Sequence, residues 1–261
     1  MRTVYVIGIG AGSPKHVTVE AIEALQAVDA VVALDKGDSK DDLLGVRRQI
    51  LAEHAPKVRL VSVVDPPRDR QPGDAAAYRA EVRRWHSARA QLLTDALVGA
   101  VDEGGSAAFL VWGDPSLYDS TLRIIDRMRG ECGLECEVRV IPGITSVQAL
   151  TAAHGILINR IGEAIHVTTA RNLPATSAAD RRNCVVMLDG GAGWREVSGP
   201  DTYMWWGAYV GTDMQVLRSG WVSDIGDDVA ELKTSLREQH GWIMDVYLLR
   251  ELDGHEEPSR L

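Results

Sequence analysis

Three turns rich in glycine and proline follow apolar runs in the first half of the chain, and their composition is typical of sites for small molecules. They occupy residues 8–14, 111–118 and 141–146. A glycine lets another group approach the backbone closely, so amides and carbonyls at such turns can contact a ligand without side chains. In α/β proteins, ligands bind outside the carboxyl ends of parallel strands. We therefore expect the three turns to form one binding site.

The first of these turns also matches part of a dinucleotide-binding fingerprint. A strand, Gly8-x-Gly10, a helix, a second strand and Asp35 follow one another as in a Rossmann motif. Two details argue against a dinucleotide. Ser13 stands where the third glycine belongs, and the expected helix begins only at Thr18, whereas a pyrophosphate needs the helix N-terminus directly after the glycines. A tight strand-to-helix turn that binds nothing is a further interpretation of the same residues.

The elements that must position these turns alternate between strand and helix up to about residue 154. Apolar runs predict strands before each turn and at residues 30–34 and 58–64, with helices between them. Beyond a linker at residues 155–162, strands dominate, and helical signal is confined to a short turn near residues 193–197 and to residues 227–239. The chain thus predicts two domains of α/β class. Residues 1–155 form an α/β domain with a mostly parallel sheet flanked by helices, and residues 160–252 form a smaller α+β domain with a mixed sheet.

Composition narrows the classes of function. The 261 residues carry 28 Lys and Arg against 37 Asp and Glu, a net charge of −9, whereas a nucleic-acid-binding domain usually has a basic surface. Three cysteines are too few for a disulfide framework and favour a reducing cytoplasm. We expect no metal site, because no further Cys or His completes a ligand set. No signal peptide and no apolar run of about 20 residues is evident, so we expect no membrane partner.

Several motifs resemble the tetrapyrrole (precorrin/uroporphyrinogen) methylases, which use S-adenosyl-L-methionine and have two α/β domains. The resemblance spans nearly the whole chain. Details at residues 34–37, 112–121, 187–191 and 241–245 resemble the branch of deacetylating precorrin-6A synthases. The resemblance implies a C-methyltransferase of cobalamin biosynthesis that methylates C1 of precorrin-5, releases the acetyl group as acetate and yields precorrin-6A. It also implies a homodimer. The motifs that carry it are Val6-Ile7-Gly8-Ile9-Gly10-Ala11-Gly12-Ser13-Pro14, Gly113-Asp114-Pro115, Ile141-Pro142-Gly143-Ile144-Thr145-Ser146 and Gly211-Thr212.

The same resemblance implies which residues contact the cofactor, with S-adenosyl-L-homocysteine as its product. The cofactor and substrate would lie in the cleft between the two domains. Ser13 departs from the family, which often has aspartate there, and Asp65-Pro66 departs from its basic residue after the third strand. The implied cofactor contacts are Ala11, Trp112, Gly113, Asp114, Leu117, Thr145, Ser146, Met187 and Gly211. For Thr145 or Ser146 taken alone, capping of the next helix is the alternative.

Deacetylation by this branch of enzymes requires a base, and a carboxylate at a strand end can provide one. Asp35 is the first candidate, with a solvated turn carboxylate as the alternative. Tyr118 either donates a hydrogen bond to the acetyl oxygen or packs over the cofactor. The carboxylates of a precorrin need local cations, and arginine binds carboxylates in bidentate fashion. The expected cations are Lys36, Arg68, Arg70 and Arg171.

Three other functions are consistent with the same residues. The first is methylation of a different carbon of a precorrin or uroporphyrinogen. The second is a nicotinamide-dependent oxidoreductase, based on Gly8, Gly10 and Asp35. The third is a cofactor-binding protein or sensor without catalytic activity.

Overall fold

The computed structural model describes residues 1–35, 41–67, 69 and 73–252. Its contacts divide the chain into two compact units. The first unit comprises Met1–Gly10 and Pro14–Ile144, and the second comprises Ala11–Ser13 and Thr145–Leu261. The helix that follows the third glycine turn groups with the second unit, although the sequence pattern places it in the first domain. No helix in the described part of the chain is long and apolar enough to cross a membrane.

The first unit is built on a five-stranded sheet in which every neighbouring pair is parallel. The expected parallel sheet is thus confirmed. Because the strands are parallel, all their carboxyl ends lie at one edge, which we call the carboxyl edge. In sheet order the strands are β3 (Arg59–Val64), β2 (Ala30–Asp35), β4 (Ser106–Val111), β1 (Arg2–Gly8) and β5 (Cys136–Ile141).

Four helices cover the two faces of this sheet: α1 (Val19–Ala27), α2 (Asp41–His54), α3 (Ala75–Ala100) and α4 (Thr121–Gly130). Successive side chains of a strand point to opposite faces, so each buried strand contributes to two cores. One core joins Val32 and Phe109 to residues of α3 and α4, and the other joins Val31 and Leu110 to residues of α1 and α2.

The second unit contains a mixed sheet, which confirms that expectation. Its strands are β6 (His166–Thr169), β7 (Asn183–Met187), β8 (Thr202–Ala208), β9 (Val216–Trp221) and β10 (Asp245–Glu251), in the order β6-β7-β10-β8-β9. β6 and β7 are parallel, and the other pairs are antiparallel. The helices are α5 (Ser146–His154), α6 (Ala178–Arg181), α7 (Trp194–Val197) and α8 (Val222–His240). α8 begins directly after β9, earlier than the expected residue 227.

Candidate cofactor site at the carboxyl edge of the parallel sheet

Three neighbouring strands of the first unit meet through glycines at the carboxyl edge. Gly8 ends β1, Gly113 follows β4 and Gly143 follows β5. A Cβ atom built on Gly143 would lie 2.1 Å from the carbonyl oxygen of Gly113 and 2.8 Å from the Cα of Gly8. A Cβ on Gly8 would lie 2.7 Å from the amide nitrogen of Gly143. These neighbours are backbone atoms, which cannot rotate away as a flexible side chain could. The close packing therefore requires glycine at positions 8 and 143.

The first loop is paired with the second turn instead of leading straight into a helix. The amide of Gly113 donates to the carbonyl of Gly10 at 2.8 Å, and the amide of Gly10 donates in return at 3.4 Å. A 3-10 turn, Pro14–His16, separates the glycines from α1. Thr18 caps that helix by accepting from the amide of Ala21 at 3.1 Å. The helix N-terminus therefore does not follow the glycines, and this geometry argues against a dinucleotide pyrophosphate at the loop.

Asp114 ties two of the strand ends together. One carboxylate oxygen accepts from the amide of Gly143 at 2.8 Å. The other accepts from the amide of Ser116 at 2.8 Å and from its hydroxyl at 2.5 Å. Burial alone would raise the pKa of Asp114, but these hydrogen bonds from Ser116 and Gly143 outweigh it and hold the pKa below its usual value. An ionised Asp114 therefore fixes the second turn against the third.

The remaining expected residues of the second turn present two aromatic side chains near this edge. Trp112 is half-buried, and so is Leu117. Tyr118 is 45% exposed and has a φ of +52°. A bulky residue is seldom found in this left-handed region, and such strained residues cluster at functional sites. This backbone conformation supports a binding role for the turn.

Thr145 and Ser146, the expected cofactor contacts of the third turn, stand at the start of α5. The Thr145 hydroxyl accepts from the amide of Val147 at 3.1 Å, and the Thr145 amide donates to the side chain of Gln148 at 3.1 Å. These bonds form a capping box at the start of α5. Ser146 is the first residue of that helix. The hydroxyl of Thr145 is thus engaged in capping, which was the structural alternative for this pair.

Three further expected cofactor contacts, Ala11, Met187 and Gly211, lie in the second unit. Ala11 is buried. Met187 is half-buried at the end of β7, and the next residue, Leu188, is 63% exposed with a φ of +56°. Gly211 has a φ of +82°, and its amide donates to the side chain of Gln215 at 2.9 Å. Their contacts with the cofactor stay predictions.

Asp35, the candidate base, is half-buried as the last residue of β2, at the same edge as the turn after β4. Its carbonyl accepts from the amide of Asp65 at 2.8 Å. Asp65 forms a two-bond ion pair with Arg89, and the guanidinium of Arg89 lies 3.5 Å from the ring centre of Trp85. This pairing, which holds the chain after β3, was not predicted from the sequence.

Of the four expected cations, Arg171 lies among the described residues. Lys36, Arg68 and Arg70 lie outside the part of the chain that the structure describes. Arg171 is exposed in the segment after β6. The hydrogen bonds by which Asp114 joins the second and third turns were also not predicted from the sequence. An Asp-x-Ser pattern is nevertheless a known signal for hydrogen bonding between a side chain and a nearby amide.

Comparison with known proteins identifies the family to which the chain is similar. The sequence model of the family described as Tetrapyrrole (Corrin/Porphyrin) Methylases matches residues 3–225. A precorrin-6A synthase (deacetylating) of Sinorhizobium sp is 40% identical over 252 residues, which cover 96% of this chain and 95% of that protein. The crystal structure of a cobalamin synthesis related protein, CobF, from Corynebacterium diphtheriae superposes with a TM-score of 0.87 at 58% identity, and covers 97% of this chain and 100% of that one.

A more distant likeness in fold is to the uroporphyrin-III C-methyl transferase of Thermus thermophilus, whose structure was solved in complex with S-adenyl homocysteine. Its TM-score is 0.57 at 17% identity, with 95% of this chain and 92% of that chain covered. The family match covers most of the chain, and the Sinorhizobium relative is similar over nearly its full length. The chain belongs to the tetrapyrrole (corrin/porphyrin) methylase family.

Proposed function

We propose that this chain is an S-adenosyl-L-methionine-dependent C-methyltransferase that methylates C1 of precorrin-5 and releases the C1 acetyl group as acetate, yielding precorrin-6A. One observation carries the proposal: the 40% identity to a deacetylating precorrin-6A synthase extends over 96% of this chain and 95% of that enzyme.

The residues at the carboxyl edge fit the cofactor that the family uses. When bound, S-adenosyl-L-methionine supplies an electrophilic methyl group. Gly8 and Gly143 let the strand ends pack backbone against backbone, and Asp114 fixes two of the turns. In our proposal Trp112 and Leu117 also contact the cofactor. A rigid floor lets the chain hold the two reacting carbon atoms in line, which is the main contribution that an enzyme makes to such a transfer.

Asp35 is the proposed base for deacetylation. It would accept a proton from the water that adds to the acetyl carbonyl carbon, after which the bond to C1 breaks, its electron pair stays on the macrocycle and acetate leaves. Tyr118 would donate a hydrogen bond to the acetyl oxygen. The test is acetate release by Asp35→Asn, with Asp126→Asn on the exposed face of α4 as the matched control. We expect release to fall by a factor of about 10² or more, within the usual range for general-base catalysis. Acetate release at the wild-type rate would remove Asp35 from this role.

The proposed activity is tested with the full chain, the cofactor and precorrin-5. We expect one methyl group transferred and one acetate released per macrocycle, followed by absorbance and by acetate assay. Methylation without acetate would instead favour a methyltransferase for another ring carbon. Binding of NAD in place of S-adenosyl-L-methionine would favour the oxidoreductase, and cofactor binding without turnover would favour a sensor.

The macrocycle-binding cations, the assembly and the location stay proposals. We propose that Lys36, Arg68, Arg70 and Arg171 bind substrate carboxylates, and Arg171→Gln should raise the KM for precorrin-5 without changing kcat. We also propose a homodimer in the cytoplasm. Sedimentation equilibrium at the mass of a single chain would refute the dimer.

A further inference from the structure

Strands β2 and β4 separate towards their carboxyl ends. Their parallel pairing runs through Ala30 and Val31 of β2, opposite Ala107 and Ala108 of β4. Past that point a cavity of about 110 Å³ opens between the strands. Because each molecule of liquid water occupies roughly 30 Å³, the cavity has room for several water molecules or one small organic ion. The lining residues that belong to the two strands are Val32, Ala33, Leu34, Phe109 and Leu110.

The chain topology places this cavity where an α/β sheet forms a binding crevice. The connection after β2 runs through α2 to β3, whereas the connection after β4 runs through α4 to β5 on the other side of the sheet order. α2 packs in the core shared with α1, and α4 packs in the core shared with α3, so the two helices leave on opposite faces. Ligands of open α/β sheets bind at such a point of divergence.

One wall of the cavity is polar and carries the guanidinium of Arg47. Arg47 of α2 donates from Nε and from Nη2 to the carbonyl of Leu110, both at 3.2 Å. Burial lowers the pKa of Arg47, and the nearby carboxylate of Asp119 partly offsets this effect. The lining also contains the carboxylate of Asp119 and the guanidinium of Arg89, which is already paired with Asp65. The carboxylate of Asp119 is bonded to the amide of Thr121 at 2.6 Å, at the start of α4.

The opposite wall is apolar. It is formed by Leu93 of α3 and by Ile124, Ile125 and Met128 of α4. A cavity with a cationic wall and an apolar wall suits a ligand that has an anionic head and a short hydrocarbon part. Leu34, which lines the cavity, directly precedes Asp35.

We propose that this cavity binds a short-chain carboxylate, with its carboxylate group towards Arg47 and its alkyl group on Ile124, Ile125 and Met128. The identity of the ligand rests on the proposed function, which supplies two sources of this chemistry. One is the acetate that deacetylation releases beside Asp35, and the other is a carboxymethyl side chain of the macrocycle.

The test measures binding of free acetate to the full chain, without tetrapyrrole or cofactor and at constant ionic strength. Carbon-13-labelled acetate is titrated and followed by NMR. We expect saturable binding of acetate and of propionate. Arg47→Gln should weaken acetate binding at least tenfold. The matched control is Arg83→Gln, on the exposed surface of α3, which should bind as the wild type does.

A second variant keeps every charge and removes the space. Ala33 lies in β2 and is 6% exposed, and Ala33→Ile fills the cavity with a residue that strands favour. Circular dichroism establishes that each variant is folded. Wild-type affinity for acetate in both folded variants, or the absence of saturable binding to the wild type, overturns the proposal.

Turnover experiments distinguish the two sources of the carboxylate. If released acetate is the ligand, acetate inhibits turnover without displacing precorrin-5, and Arg47→Gln abolishes that inhibition. If a macrocycle side chain is the ligand, acetate competes with precorrin-5 and Arg47→Gln raises its KM tenfold. Binding of free acetate by a chain that does not deacetylate precorrin-5 would contradict the proposed function and leave the cavity assignment standing.

Discussion

Replacing Lys233 by Met should severely destabilise the second unit, because Lys233 is the cation of a fully buried cluster. Its ammonium lies 2.7 Å from a carboxylate oxygen of Asp245 and 3.7 Å from one of Asp189, and these side chains are only 2–3% exposed. The ammonium also donates to the carbonyl of Asp189 at 2.7 Å. Asp189 in turn accepts from the hydroxyl of Tyr247 at 2.9 Å and from the amide of Gly193 at 3.0 Å, so the cluster fixes the segment after β7.

The magnitude follows from leaving buried carboxylates without their cation. Removing one partner of a buried ion pair costs about 3–5 kcal/mol. The lost bond to the Asp189 carbonyl adds about 1 kcal/mol, and the thioether of Met restores part of the packing. We expect a loss of about 4 kcal/mol in the free energy of unfolding. For a chain of this size, about 2–4 °C per kcal/mol gives a decrease in Tm of roughly 8–16 °C.

The effect should depend on pH with a definite sign. Burial raises the pKa of Asp245, and Lys233 opposes that rise. Without Lys233 the pKa of Asp245 in the folded state rises further, so the folded protein binds a proton more tightly than the unfolded chain does. A raised carboxyl pKa stabilises the fold below the unfolded value, and this contribution is lost as the pH rises through the folded value. Lys233→Met should therefore be less destabilising at pH 5 than at pH 8.

The assay is thermal unfolding by calorimetry at both pH values, with Arg195→Gln as the control. Arg195 pairs with Asp227 at 2.6 Å, but the two side chains are 51% and 85% exposed. An exposed pair contributes about 0–1 kcal/mol, so this variant should unfold within about 3 °C of the wild type. A Lys233→Met protein as stable as this control at pH 8 would refute the reasoning.

Three further predictions concern single residues. Gly143→Ala should reduce the affinity for S-adenosyl-L-methionine at least tenfold in a binding titration, because its Cβ meets backbone atoms, whereas Gly99→Ala, with open space around its Cβ, should bind normally. Asp114→Asn should lower the free energy of unfolding in urea by about 1.5–3 kcal/mol, because the side-chain NH2 of asparagine would face an N–H or O–H group and cannot accept its hydrogen bond. An unchanged urea midpoint would contradict this role of Asp114. Cys184, whose pKa burial raises to about 12, should resist iodoacetamide in the native protein at pH 8, while half-buried Cys132 reacts first, as peptide mapping would reveal.

Much of the fold was predictable because its signals are local. Apolar runs located the five parallel strands, and the side chain of Thr18 marked the start of α1 as expected. The turns after β1, β4 and β5 were recognisable from glycine and proline, whose backbone preferences act within a few residues. The mixed sheet of the second unit followed from the change to strand-dominated patterning. The start of α8 was placed too late, because no turn residue separates it from β9.

The sequence by itself determined the strands, the turns at their carboxyl ends and the family, since each of these depends on residue types at short spacing. The tertiary structure decided which of those residues touch. The contact of Gly8, Gly113 and Gly143 depends on β1 lying between β4 and β5, and no local pattern specifies that order. The cavity beside Arg47 arises because the pairing of two strands stops partway along them. Both features come from burial shared by distant segments, which is why they appear only when the whole chain is packed.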